Sequence, residues 1–155
     1  MKETNDIRPI RSYVLRQGRL TKYQANAVKK FSAAWIIPFE KKPEELLQAC
    51  DSFCLPSYRE GFGLSVIEAS ALEKPIICSD AYGLADTIVQ GETGLRHRVG
   101  DVDHLKKQLT FALNHPKEMR SMGKVGRKYV EDNYSEKRLL EEWENFYQKE
   151  LSYKR

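Results

Sequence analysis

Two carboxylates, Glu60 and Glu68, flank the stretch of this chain best suited to chemistry, with seven residues between them. The stretch reads Pro56-Ser57-Tyr58-Arg59-Glu60-Gly61-Phe62-Gly63-Leu64-Ser65-Val66-Ile67-Glu68-Ala69. It has the pattern of a strand end, a glycine-rich loop and a helix start. Gly61 and Gly63 allow positive φ and close approach of a ligand to the backbone. The N–H groups of Phe62, Gly63 and Leu64 then point out of the helix N-terminus, an arrangement that favours an anion such as a diphosphate. Glu60 and Glu68 would repel that anion if they faced it. As strong acceptors they suit sugar hydroxyls, and a carboxylate can hold a vicinal diol in a bidentate way.

The other reactive side chains are scattered. Cys50, Cys54 and Cys78 make an odd count, which argues against a disulfide framework and for small buried hydrophobes in a reducing compartment. His97, His104 and His115 lie apart in polar contexts, so no metal site is expected. Charge is uneven. Residues 1–30 hold eight Lys/Arg against Glu3 and Asp6, a net of +6, whereas the 155-residue chain carries +4. A basic block of this kind suits a polyanion, nucleic acid or an acidic membrane surface, or else a solvated tail. No run approaches the roughly 18 apolar residues of a membrane helix. Residues 1–11 lack an apolar leader core, so a cytoplasmic protein is expected.

The elements that must position the loop follow from the pattern. Residues 22–34 are helix-prone, and Phe39 to Glu44 reads as a connector, with Pro43 opening a short helix to Ala49. Ser52–Leu55 and Pro75–Cys78 are short apolar runs with the signature of buried strands. Between them Leu64–Leu72 reads as a helix. A helical turn is expected near Leu84–Val89, and an edge-like alternating strand at Gly94–Val99. Asp101 is placed to cap a helix from Val102 to Leu113 with a stripe at Val102, Leu105, Leu109 and Ala112/Leu113. Pro116 opens the next helix, through Met119, Met122 and Val125 towards Val130. Ser135 caps the last, whose apolar face carries Leu139, Leu140, Trp143, Phe146/Tyr147 and Leu151. These stripes predict core packing, with docking onto a missing lobe as the alternative for the Trp143 face. The fold class is α/β: a parallel sheet of about three strands covered by helices, with a helical C-terminal tail and a basic N-terminal arm. So narrow a parallel sheet points to an incomplete domain.

The stretch from Glu60 to Glu68, with Gly61-Phe62-Gly63-Leu64 in the gap, resembles the paired-glutamate motif of the family-four retaining glycosyltransferases. The similarity continues through Ala69-Ser70-Ala71-Leu72-Glu73-Lys74-Pro75-Ile76-Ile77, Gly91-Glu92-Thr93-Gly94-Leu95 and the helices after Asp101. The resemblance implies two Rossmann-like lobes with a nucleoside-diphosphate sugar between them, of which residues 43–155 would be part of the donor-binding lobe. It implies that Glu60 contacts the donor sugar at the reacting centre and so counts as the catalytic candidate. The backbone of Gly61, Phe62, Gly63 and Leu64 would lie on the sugar and diphosphate, and Glu68 would hold the ribose hydroxyls. The implied function is hexosyl transfer to an acceptor without a cofactor. Tyr82-Gly83-Leu84-Ala85-Asp86 departs from the family's Gly-Gly-x-Pro-Glu. The acceptor lobe and the first part of the donor lobe find no counterpart, so no turnover is expected from this chain alone.

Residues 1–40 are assigned to a separate arm. Ile7 to Gln24 resembles the N-terminal arm of bacterial tRNA (guanine-N7-)methyltransferases, which implies RNA contact through Arg11, Arg16, Arg19 and Lys22. The methyl-donor domain has no counterpart here, so the alternative function is an RNA-binding fragment. Gly18-Arg19-Leu20 with Lys22 also resembles the opening of the glycosyltransferase donor lobe. The arm is preferred because Arg11, Arg16 and Gln17 interrupt the apolar strand that should precede such an opening. Expected partners are a nucleotide sugar, tRNA through the arm, and a second copy through an open sheet edge or the Trp143 face.

Overall fold

The computed structural model describes the backbone of residues 12–15 and 34–37 and all of residues 41–153. The chain divides into two compact units, Met1–Pro43 and Glu44–Arg155.

In the first unit, β1 (Ser12–Leu15) and β2 (Ala34–Ile37) pair in parallel, Ser12 opposite Ala34 and Leu15 opposite Ile37. A strand at 12–15 corrects the sequence expectation. Arg11, Arg16 and Gln17 bracket the four-residue run rather than interrupt it, and four residues suffice for a short strand. Ala34, taken as the end of a helix, instead opens β2. The rest of that expected helix, residues 22–33, lies outside the described residues, as do Arg11, Arg16, Arg19 and Lys22.

The second unit is one parallel three-stranded sheet in the order β3 (Phe53–Leu55), β4 (Ile76–Ser79), β5 (Gly94–His97). Helix α1 (Pro43–Ala49) runs from the boundary between the units into this one. Helix α2 (Leu64–Ala71) connects β3 to β4. Helices α3 (Val102–Asn114), α4 (Pro116–Tyr134) and α5 (Glu136–Ser152) follow β5. Successive side chains of a strand point to opposite faces, and central β4 uses both. Ile76 and Cys78 join Leu47, Val66, Ala69, Leu84 and Ile88 on one side. Ile77 joins Leu95, Met119 and Met122 on the other. Burial raises the Cys54 and Cys78 thiols to about 11, so both stay protonated and inert at neutral pH.

Three stripes differ from the sequence expectation. In α4 the buried face is Met119, Met122, Gly123, Gly126 and Val130, while Val125 is exposed. A side chain at Gly123 would overlap the Glu73 carbonyl, so the glycines, not Val125, let α4 approach the turn after α2. In α3, Val102, Leu109 and Leu113 are exposed, and Leu105, Phe111 and Ala112 carry the packing. The apolar face of α5 is not core. Leu139, Leu140, Trp143, Phe146, Tyr147 and Leu151 are all more than half exposed, and Trp143, Phe146 and Tyr147 meet one another's rings. Asp101 caps α3 as expected, accepting from the His104 N–H at 2.8 Å. Ser135 stands at the α5 N-cap without a side-chain bond.

Strand β5 stands at an edge of the three-stranded sheet, as its alternation implies, although Gly94, Leu95 and His97 are buried and Arg96 half-buried. The helical turn expected at Leu84–Val89 is a 3-10 turn, Tyr82–Leu84, followed by tight turns. The carbonyls of Ala85 and Ile88 accept from the Arg96 guanidinium, and Leu84 accepts from the Thr87 hydroxyl, which leaves no regular helical ladder there. Among the described residues no helix is long and apolar enough to cross a membrane, and no His/Cys/Asp/Glu group could hold a metal ion.

Candidate functional site

The candidate loop leaves the carboxyl end of β3, the edge at which open α/β sheets bind ligands. Its start is pinned to the neighbouring strand. The Ser79 hydroxyl, fully buried at the end of β4, accepts from the Ser57 N–H at 3.0 Å and donates to the Ser57 carbonyl at 2.5 Å. The Ser57 hydroxyl donates onward to the Arg59 carbonyl at 2.9 Å. A single serine thus fixes where the chain turns out of the sheet.

The two glycines differ. Gly63 takes the left-handed conformation, φ 67°, and N-caps α2, its carbonyl accepting from Val66 at 2.8 Å and Ile67 at 3.3 Å. A Cβ there would overlap the Leu84 side chain. Gly61 does not take a positive φ, and the space a Cβ would fill is open. Gly63 therefore shapes the loop, and Gly61 leaves room beside it. Among the described residues the N–H groups of Phe62, Gly63 and Leu64 at this helix end donate to no group. Phe62 and Leu64 are exposed, and Gly63 is buried.

Glu60 is half-buried at the loop, and Glu68 is exposed in the second turn of α2, between buried Ile67 and Ala69. Neither carboxylate pairs with a described side chain, which leaves both available as acceptors on either side of the free donors.

A second loop, absent from the sequence-derived site, supports the first. Backbone meets backbone where Gly83 lies against the carbonyls of Glu60 and Gly61, so closely that any Cβ would overlap them. Arg96 reaches from β5 to hold this loop through the carbonyls of Ala85 and Ile88, and stands 3.9 Å from Asp80. Tyr129 and Tyr134 of α4 both donate to the Asp86 carbonyl, at 2.9 and 2.5 Å. The departure Tyr82-Gly83-Leu84-Ala85-Asp86 thus keeps the one glycine that the close approach demands. The sequence signal for these supports was weak: a serine at a strand end, an arginine in an alternating strand and two tyrosines in a helix.

Comparison with known proteins bears on this geometry. The profile of the family described as glycosyl transferases group 1 matches residues 20–129. The match begins inside the segment set apart as an arm: Lys22 lies within it, and Arg11, Arg16 and Arg19 precede it. The capsular polysaccharide biosynthesis glycosyltransferase CapM of Staphylococcus aureus is 39% identical over 95 residues, 61% of this chain and 25% of that protein. Sucrose-phosphate synthase from Thermosynechococcus elongatus superposes with a TM-score of 0.74 at 26% identity, over 83% of this chain and 33% of that one. A Staphylococcus aureus TarM mutant in complex with fondaparinux, alpha-GlcNAc-glycerol and UDP superposes with a TM-score of 0.79 at 20% identity, over 88% of this chain and 28% of that one. This chain spans about a quarter of the length of the curated relatives it matches. Its three parallel strands and their helices are a partial Rossmann-like sheet with a helical C-terminal region. With the family profile covering 110 of its 155 residues, Glu60 to Glu68 among them, the chain belongs to the group 1 glycosyl transferases.

Proposed function

We propose that this chain is the nucleotide-sugar-binding part of a retaining glycosyltransferase, which in a complete enzyme moves a hexosyl group from a nucleoside-diphosphate sugar to an acceptor. The observation that carries the proposal is the set of N–H groups at Phe62, Gly63 and Leu64 that donate to no described group, flanked by two carboxylates that pair with no described side chain. Among fold neighbours, TarM and HepE structures contain UDP, and another HepE structure contains UDP-glucose. In this reading the diphosphate sits on the α2 N-terminus, whose fixed dipoles stabilise the charge that develops as the sugar leaves. Glu60 stands by the sugar at the reacting centre, and Glu68 accepts from the ribose hydroxyls. Donor binding belongs to this chain, and turnover needs the rest of a two-lobed enzyme, so no sugar transfer is expected from the chain alone.

Titration of the chain with UDP and other nucleoside diphosphates, followed by amide NMR, tests the proposal. Shifts are expected at Gly61, Gly63 and Leu64. Glu68→Gln keeps the side-chain shape but loses the charged acceptor, so affinity should fall about tenfold. Absence of any shift with every nucleoside diphosphate and nucleotide sugar would overturn it.

The net charge of +6 in residues 1–30 favours a second reading, RNA contact through Arg11, Arg16, Arg19 and Lys22. Reversing the three arginines should weaken tRNA binding and flatten its salt dependence. Unchanged RNA affinity after deletion of residues 1–30 would exclude this contact.

A further inference from the structure

The loop Gly61-Phe62-Gly63 has a glycine on each side of one aromatic residue, so its backbone gets little order from its own residues. Phe62 is 55% exposed. Its ring meets the Tyr134 ring edge-on, with centroids 5.8 Å apart and planes at 75°. Tyr134 is the last residue of α4, and its hydroxyl donates to the Asp86 carbonyl in the second loop. Tyr129, five residues earlier, donates to the same carbonyl and packs edge-on against Tyr134 at 6.2 Å. The second loop in turn lies against Glu60 and Gly61 through Gly83. One helix end therefore touches both loops that shape the donor site, one through a ring and the other through a hydroxyl.

We propose that Tyr134 is a positioning residue for the nucleotide-sugar loop, seating Phe62 with its ring while Tyr129 shares its bond to the Gly83 loop, so that the Gly61–Leu64 backbone is preset for a diphosphate. This rests on the nucleotide-sugar reading above. The role suits a tyrosine at this place. An edge-on aromatic contact fixes a ring's direction as well as its burial. Burial pushes the Tyr134 hydroxyl up to about 12, so it remains a donor throughout the neutral range. The joint behind it is braced too, because Arg138 donates to the Asp132 carbonyl at 2.9 Å and the Asn133 side chain at 3.1 Å. Preset donors need no ordering when the ligand arrives, which is how a residue that never touches it can strengthen binding.

Three variants of the full chain test the proposal, read by UDP affinity and, without ligand, by backbone NMR order parameters. Tyr134→Leu removes ring and hydroxyl. It should weaken UDP binding about tenfold and lower the order parameters of Gly61 to Leu64. Tyr134→Phe keeps the ring, and Tyr129 still holds Asp86, so affinity should return to within about threefold of wild type. Met122→Ala, a cavity in the same helix about three turns from Tyr134 and in the other core cluster, should lower the melting temperature and leave UDP affinity unchanged. Wild-type affinity in Tyr134→Leu, failure of Tyr134→Phe to rescue, or an equal loss in Met122→Ala would each overturn the positioning role. If the wild-type chain binds no nucleoside diphosphate, the functional reading falls, and the order parameters of Gly61 to Leu64 in the Leu and Phe variants still decide whether Tyr134 orders the loop.

Discussion

Replacing Gly63 with alanine should destabilise the second unit by about 2–4 kcal/mol, whereas the same change at Gly61 should cost within about 0.5 kcal/mol. At Gly63 two costs combine. The residue sits at φ 67°, where a Cβ meets its own backbone, and that Cβ would also overlap the Leu84 side chain in the buried cluster. Gly61 has an ordinary φ and open space where its side chain would be. The functional effects should divide differently. A methyl at Gly61 enters the space beside the unpaired donors, so it should weaken nucleoside-diphosphate binding while the melting temperature stays put. Gly63→Ala should lose binding and stability together, because the loop must move to relieve the overlap. Urea unfolding and UDP titration of both variants provide the check. Greater destabilisation by Gly61→Ala than by Gly63→Ala would show that the left-handed cap has been placed on the wrong glycine.

Arg96→Met should cost about 2–3 kcal/mol and loosen the loop from Tyr82 to Val89. The methionine keeps much of the apolar stem but removes the guanidinium that holds the Ala85 and Ile88 carbonyls. Bonds from a charged donor are stronger than neutral ones, and these two replace a helical ladder that the loop lacks. The expected cost is kept modest because the Arg96 side chain is 23% exposed and water can reach part of the space it vacates. Its approach to Asp80 contributes little, since the pair is 3.9 Å apart and the carboxylate is 63% exposed. Asp80→Asn should accordingly be near neutral. In Arg96→Met, amide exchange should rise at Leu84 and Thr87, with little change at Met122. An effect as large from Asp80→Asn would mean that the ion pair, not the carbonyl clamp, holds the loop.

These results would separate two kinds of residue in the site. Glu60, Glu68 and the Gly61–Leu64 backbone carry the proposed chemistry, and all were legible because their types are uncommon in combination: paired carboxylates, paired glycines and a helix start. Ser79, Gly83, Arg96 and Tyr134 position them and were not legible. Each acts across 22 or more residues of sequence, or through a backbone carbonyl that any residue could supply. Local pattern carries no record of such partners. The Gly83 contact with Glu60 exists only because β3 and β4 lie side by side and in register.

The sequence by itself determined the order and type of the elements in residues 43–153, the buried strands and the loop between β3 and α2. Apolar run length, proline and glycine positions and helical periodicity are local properties. Tertiary structure alone decided which face of each helix is core. Glycines 123 and 126 replace Val125 at the α4 interface because close backbone approach outweighs a side chain's hydrophobicity there. The Trp143 face of α5 has the periodicity of a core stripe but stays exposed, since periodicity specifies an apolar face without specifying what covers it. Strand β1 escaped notice because charges at the ends of a four-residue run look like interruptions until a parallel partner, Ala34–Ile37, supplies its hydrogen bonds.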